Sequence, residues 1–201
     1  MIKSIRRLFT VVPLCLFLLL PLRSPLACSV TTEEYYAGRT LFFVEGTDLH
    51  ISGTLNTYSG LEFEEIYAAY PQIKRLVLGK VEGSVDDDFT LEFGYRIRDI
   101  GLATHLTSTS EIYSGAVDIF ISGVRRTMEK GAIIGVHSWS EEGAEASDFT
   151  KGDIAHEMYI AHALEMLGRE DFYWFTVDSA PAEGMHNMTV AEIEYFGLLT
   201  G

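Results

Sequence analysis

The 201-residue chain is 47% hydrophobic and 22% charged, which excludes an extended disordered protein and leaves room for one domain with a sizeable core. With residues 1–27 set aside, which hold four basic side chains and no acidic one, eleven Lys and Arg face 29 Asp and Glu, a formal charge of −18. A surface that negative repels phosphate backbones, so nucleic acid is excluded as a partner.

The chain opens with "MIKSIRR", continues with the apolar run "LFTVVPLCLFLLLPL" and closes this segment with "RSPLAC". Basic, then apolar, then small is the order of a bacterial-type signal peptide, assigned here to residues 1–27. The run from Leu8 to Leu22 spans 15 residues and is broken by Pro13, short for a spanning helix, so cleavage and export to the periplasm or cell envelope are expected. Cys28 follows "PLA", a partial lipobox with Pro25 in place of an aliphatic residue. Two routes stay open: lipidation at Cys28, the only route to a membrane, or cleavage after Ala27 and release. Cys15 leaves with the leader, so no intramolecular disulfide can form in the mature chain.

Residues 28–39 read as a mobile N-terminal segment, and 40–201, free of repeats and linkers, as one domain. Six short runs rich in β-branched or aromatic residues are expected to be strands: 40–44, 49–53, 74–79, 102–107, 132–136 and "FYWFTV" at 172–177. Helices are expected over 61–70, and over "DDFTLEFGYRIRDIG", where Phe89, Phe93, Ile97 and Ile100 form a stripe. Further helices follow Ser114, run through "DIAHEMYIAHALEMLG" to a C-capping Gly168, and close the chain at "TVAEIEYFG", with a Thr189–Glu192 capping box and a stop at Gly197. Strand and helix alternating at this pitch predict an α/β domain with a mostly parallel sheet.

Three segments place chemistry where strands end. "LGKVEGSV" (78–85) leaves a strand through a glycine and enters a helix; "YSGA" (113–116) does so with a serine; "GVHSW" (135–139) sets a histidine at a strand end. This combination resembles the Clp protease proteolytic subunit and its crotonase-like superfamily, including an exported bacterial branch. In that family a strand ends in a Ser-Pro-Gly-Gly-Ser-Val type loop, a nucleophilic serine opens a helix some thirty residues later, and a histidine follows about 25 residues on. Ser114 stands 31 residues after Gly83, and His137 stands 23 after Ser114. "DLHISGTL" and "MTVAEIEYFGLLT" extend the likeness over roughly residues 40–201.

The resemblance implies a Clp-protease/crotonase-like fold of stacked ββα units. It also implies serine hydrolase chemistry, peptide cleavage first, with an acyl-enzyme at Ser114, His137 as general base and the N–H groups of Gly83 and Gly115 as oxyanion hole. A peptide or protein is the implied substrate, without cofactor or metal, and the family's habit of assembling makes a homo-oligomer the expectation to test. Two positions depart from the pattern. Glu82 replaces the first loop glycine and brings a negative charge that opposes an oxyanion unless it points away. Met185 stands where the family has its aspartate, so Glu183 is the assigned acid, with Asp178 and Asp171 as alternatives.

Each residue also has a plainer role. A serine before a helix is ordinarily an N-cap contributing about 1 kcal/mol, and a strand-end histidine is ordinarily hydrogen-bonded scaffold. His156 and His162, six apart on one helix, face differently and read as structural. The acidic segment "SWSEEGAEASD" reads first as a solvated loop and second as an arm facing a peptide. The competing function is therefore a catalytically inactive Clp-like domain that binds a peptide, protein or cell-envelope partner. Thioester chemistry of the crotonase type ranks behind both, because it has no need of a nucleophilic serine.

Overall fold

The structure, a computed structural model, describes residues 38–141 and 143–200. The leader at 1–27, Cys28 and nearly all of 28–39 lie outside the described residues.

The domain is built on a mostly parallel sheet. Its strands are β1 (Thr40–Glu45), β2 (Asp48–Leu55), β3 (Arg75–Ser84), β4 (Ala103–Tyr113), β5 (Arg126–Met128), β6 (Ile133–Val136) and β9 (His186–Asn187), with a separate hairpin of β7 (Ser140–Glu141) and β8 (Ala144–Glu145). The order across the sheet is β1-β2-β3-β4-β6-β9, with β5 also on β4. Pairings among β2, β3, β4, β5 and β6 are parallel, and antiparallel β1 and β9 close the two edges. This is the α/β architecture expected from the alternating pattern.

The helices are α1 (Ser59–Ala69), α2 (Asp87–Asp99), α3 (Gly115–Ile121), α4 (Glu157–Leu167), α5 (Asp171–Ser179) and α6 (Val190–Tyr195). Strands β2 to β4 and β6 bury Leu49, Ile51, Leu76, Leu78, Leu106, Ile112 and Ile134; β3 and β6 do so in continuous runs, as a strand covered on both faces requires, while β2 and β4 alternate. Helix α3 packs against β3, β4 and β6 and between α2 and α4, so it is apolar nearly all round: Ala116, Val117, Ile119, Phe120 and Ile121 are buried. Asp118 is its one charged residue. The expected caps form, with Gly168 left-handed after α4 and a Thr189–Glu192 capping box opening α6.

Two expectations change. Residues 172–177 are helical in α5, not a strand. A six-residue aromatic run has no period long enough to separate strand from helix, and here the rings are spent on helix packing: Phe172 meets Phe196 edge-on and Phe175 meets it at a tilt. In α2 the buried stripe is Thr90, Leu91, Phe93, Gly94 and Ile97, while Phe89 is exposed.

Candidate active site

Strand β4 serves two neighbours in succession, pairing β5 at residues 104–106 and β6 at 111–113. Its far end therefore lies between the ends of β3 and β6. Tyr113 pairs with Gly135, and the Ser114 N–H donates to the Gly135 carbonyl at 3.1 Å. Two residues beyond Gly135 comes His137. On the other side, a Cβ added at Gly83 would stand 3.1 Å from Ser114 Cβ. Gly83, Ser114 and His137 thus gather at the carboxyl ends of three adjacent parallel strands, where open α/β sheets hold their ligands.

Ser114 is distinctive in its backbone. With φ 52° and ψ −131° it is the one non-glycine residue of positive φ among the described residues. Such a conformation costs about 1–3 kcal/mol, and its side chain caps no helical N–H, which sets aside the plain N-cap reading. Glycine is required on both sides. Gly83 has φ 129°, and a Cβ at Gly115 would meet Ser84 Cβ at 2.5 Å, closer than two carbons can stand. Gly115 is the first residue of α3, so its N–H has no intrahelical acceptor.

Glu82 alternates outward from the strand, is exposed, and accepts a hydrogen bond from Thr54 Oγ1 at 3.4 Å. Its charge points away from Ser114 and does not line the cavity there.

That cavity is small, about 60 Å³, opens in part to solvent, and is reached by Ser114, Gly115 and His137. Val117, Val136, Ala163 and Phe172 supply apolar wall. Asp87, Asp118, Trp139, Tyr159, Tyr173 and Thr176 complete the lining. The aromatic side is a stack: Trp139 lies on Tyr159 at 5.6 Å and Tyr159 on Tyr173 at 5.5 Å, both nearly parallel. Tyr159 donates to Asp87 Oδ2 at 2.8 Å, and Trp139 Nε1 donates to Tyr173 Oη at 2.8 Å. Burial raises both phenols above their ordinary range, Tyr173 to about 12, so each stays a neutral donor.

Among the described residues, Ser114 and His137 share the cavity without a hydrogen bond between them, and His137 Nδ1 is buried with no partner. The three carboxylates named as the acid lie elsewhere. Glu183 is exposed in the turn closed by Gly184 N–H on the Pro181 carbonyl; Asp178 is exposed on α5; Asp171 is bound to Arg169. The carboxyls that do face the cavity, Asp87 and Asp118, went unread in the sequence.

His156 and His162 are interior. His156 Nδ1 meets Tyr173 Oη at 2.6 Å, while His162, 1% exposed, faces Ser122 and Asp118.

No family model matches the chain, and no curated protein sequence does. Solved structures do match. The chain aligns with the 1510-N membrane-bound stomatin-specific protease at TM-score 0.53 and 13% identity over 75% of each chain. The same protease in complex with a substrate peptide gives TM-score 0.52 and 15% identity, over 75% of this chain and 71% of that one. An enoyl-CoA hydratase/isomerase family member gives TM-score 0.52 and 12% identity, over 82% and 69%. At these identities the likeness is one of fold, and it spans proteases and hydratases alike. With its parallel sheet and its site at three strand ends, the chain has the Clp/crotonase-like fold.

Proposed function

We propose that the chain is an exported serine hydrolase that cleaves peptide bonds through an acyl-enzyme at Ser114. The observation that carries this reading is the strained Ser114 backbone, held between Gly83 and Gly115 at the mouth of a cavity that His137 also enters. Strain at a serine that caps nothing is retained where the side chain must be presented. Ser114 Oγ attacks the carbonyl carbon, His137 takes the Oγ proton, and the N–H groups of Gly83 and Gly115 receive the oxyanion. A peptide substrate is supported by the protease neighbour that was captured with one. The leader directs the chain to a bacterial periplasm or envelope, with a membrane tether if Cys28 is lipidated.

The test is a fluorophosphonate probe, which esterifies an activated serine. The wild type is expected to label and Ser114→Ala is not. No labelling of the wild type, or equal labelling of both, overturns the reading.

One observation favours a second function. The unpartnered His137 Nδ1 and the missing Ser114–His137 hydrogen bond suit a cleft that binds a peptide or envelope partner without turnover. Stoichiometric capture of a peptide that survives Ser114→Ala, in a protein that does not label, would support it.

A further inference from the structure

Asp118 is a carboxyl in unusual surroundings, and its neighbours fix its protonation. It lies in the first turn of α3, four residues beyond Ser114, with its side chain 31% exposed and lining the cavity that Ser114 enters. Behind it, Oδ1 stands 3.5 Å from Nδ1 of His162, a ring 1% exposed. Ser122 Oγ lies 2.7 Å from the Asp118 main-chain carbonyl, which can only accept, so the Ser122 proton points there. The contact of 3.2 Å between Ser122 Oγ and His162 Nε2 must then be donated by the histidine. A neutral imidazole that donates from Nε2 offers a lone pair at Nδ1. At 3.5 Å Asp118 Oδ1 makes no hydrogen bond to that nitrogen, and a charged oxygen facing its lone pair is repelled where a protonated one is not.

The charged groups around the pair agree. Asp87 of α2 bears on Asp118 and Arg98 of α2 on His162, while Tyr159 and His137 line the same cavity. Burial and Asp87 push Asp118 up to about 8, and burial with Arg98 pulls His162 down to about 3.

The geometry points to Asp118 as a further catalytic residue, the acid that protonates the leaving amine, with His162 and Ser122 as the residues that position it. The inference rests on the serine hydrolase reading. In acylation the Ser114 Oγ–C bond forms and its proton goes to His137. The C–N bond then breaks, and the Asp118 O–H proton passes to the departing nitrogen, leaving a carboxylate. Between the half-reactions the His137 imidazolium releases its proton to solvent and Asp118 regains one from it; in deacylation neutral His137 takes the proton of the water that adds to the acyl carbon and returns it to Ser114 Oγ as the ester bond breaks. All protons are restored.

An amide needs that proton and an activated ester does not, because nitrophenolate leaves as an anion. The probes are the p-nitrophenyl ester and the p-nitroanilide of N-acetyl-phenylalanine, which share an apolar acyl group suited to the wall of Val117, Val136 and Phe172. Asp118→Asn keeps a neutral side chain of the same size and has no acid proton to give. Anilide turnover is expected to fall by about 100-fold or more, with ester turnover and fluorophosphonate labelling within about threefold of wild type. Asp118→Glu should recover part of the anilide activity. Unchanged anilide turnover overturns the assignment, and so does an equal loss on ester and anilide, which marks Asp118 as structural. In both cases labelled, ester-cleaving wild type leaves the Ser114 reading standing. A wild type that neither labels nor cleaves the ester overturns the two together.

Discussion

Glu82 and Gly83 are neighbours whose side-chain positions lie on opposite faces of β3, so they carry opposite expectations. A methyl at Gly83 would press on Ser114 Cβ at 3.1 Å while its backbone is held at φ 129°, so alanine there must displace the serine or the strand end. Gly83→Ala is expected to slow fluorophosphonate labelling of Ser114 by about tenfold or more, the equivalent of some 1.4 kcal/mol at the transition state. Glu82→Gln removes a charge that faces Thr54, and labelling should stay within about twofold. Labelling of Gly83→Ala at the wild-type rate would remove Gly83 from the site, and a marked gain in Glu82→Gln would show that its charge reaches the oxyanion after all. The residue that looked most damaging in the sequence stands off Ser114 for a simple reason: a strand alternates, and at this end of β3 the face of Lys80 and Glu82 is solvent.

Helix α3 has to end inside the protein as well as begin there, and two arginines make that feasible. Arg98 donates to the Ile121 and Met166 carbonyls at 3.0 Å each, near the ends of α3 and α4. Arg126, 6% exposed, donates to the carbonyls of Ile121, Gly123, Gly197 and Leu198, joining the end of α3 to the turn after α6. Its guanidinium tolerates burial, which lowers it only to about 10, because its donors meet carbonyls. Arg126→Met keeps the stem and strands those carbonyls, and unfolding in urea should show a loss of about 3 kcal/mol. A loss under about 0.5 kcal/mol would mean that water replaces the arginine. At this scale the sequence was readable wherever one element buries one pattern. The apolar runs of β3 and β6 are continuous where both faces are covered, β2 alternates, and the gathering of Gly83, Ser114 and His137 could be expected because each lies at a strand end. The aromatic run of α5 could not, since its rings answer to Phe196 rather than to a period within the run. Asp87 and Tyr159 escaped notice for a related reason, since 72 residues separate them and only the packing of α2 on α4 joins them. Asp118 did carry a local signal. One carboxylate in "GAVDIFI" is a charge with no solvated face to occupy.

Across the whole molecule, a site that holds one acid protonated and one histidine neutral makes stability depend on pH through both. His162 lies at about 3 in the folded chain against 6.5 for an unperturbed histidine, so the unfolded chain binds its proton first as pH falls. Its contribution is lost as pH drops from about 6.5 toward 3. Asp118 lies at about 8 in the folded chain against 3.8 for an unperturbed aspartate, so the folded chain keeps a proton that the unfolded chain gives up. Its contribution is present below about 4 and is lost as pH rises from there to about 8. The two windows overlap and oppose each other, so a single melting curve against pH would blur them. The difference between wild type and Asp118→Asn separates them, because every other titrating group is common to both proteins. Asparagine is neutral throughout, so its advantage has to grow with pH. The variant is expected to melt close to wild type at pH 4 and clearly above it at pH 8, with His162 and Ser122 undisturbed. A difference that stays flat between pH 4 and 8 would mean that Asp118 ionises normally in the folded chain, and a variant that loses ground at pH 8 would mean that its carboxylate is a stabilising charge. The expected gain is the stability given up to keep an acid proton in the first turn of α3.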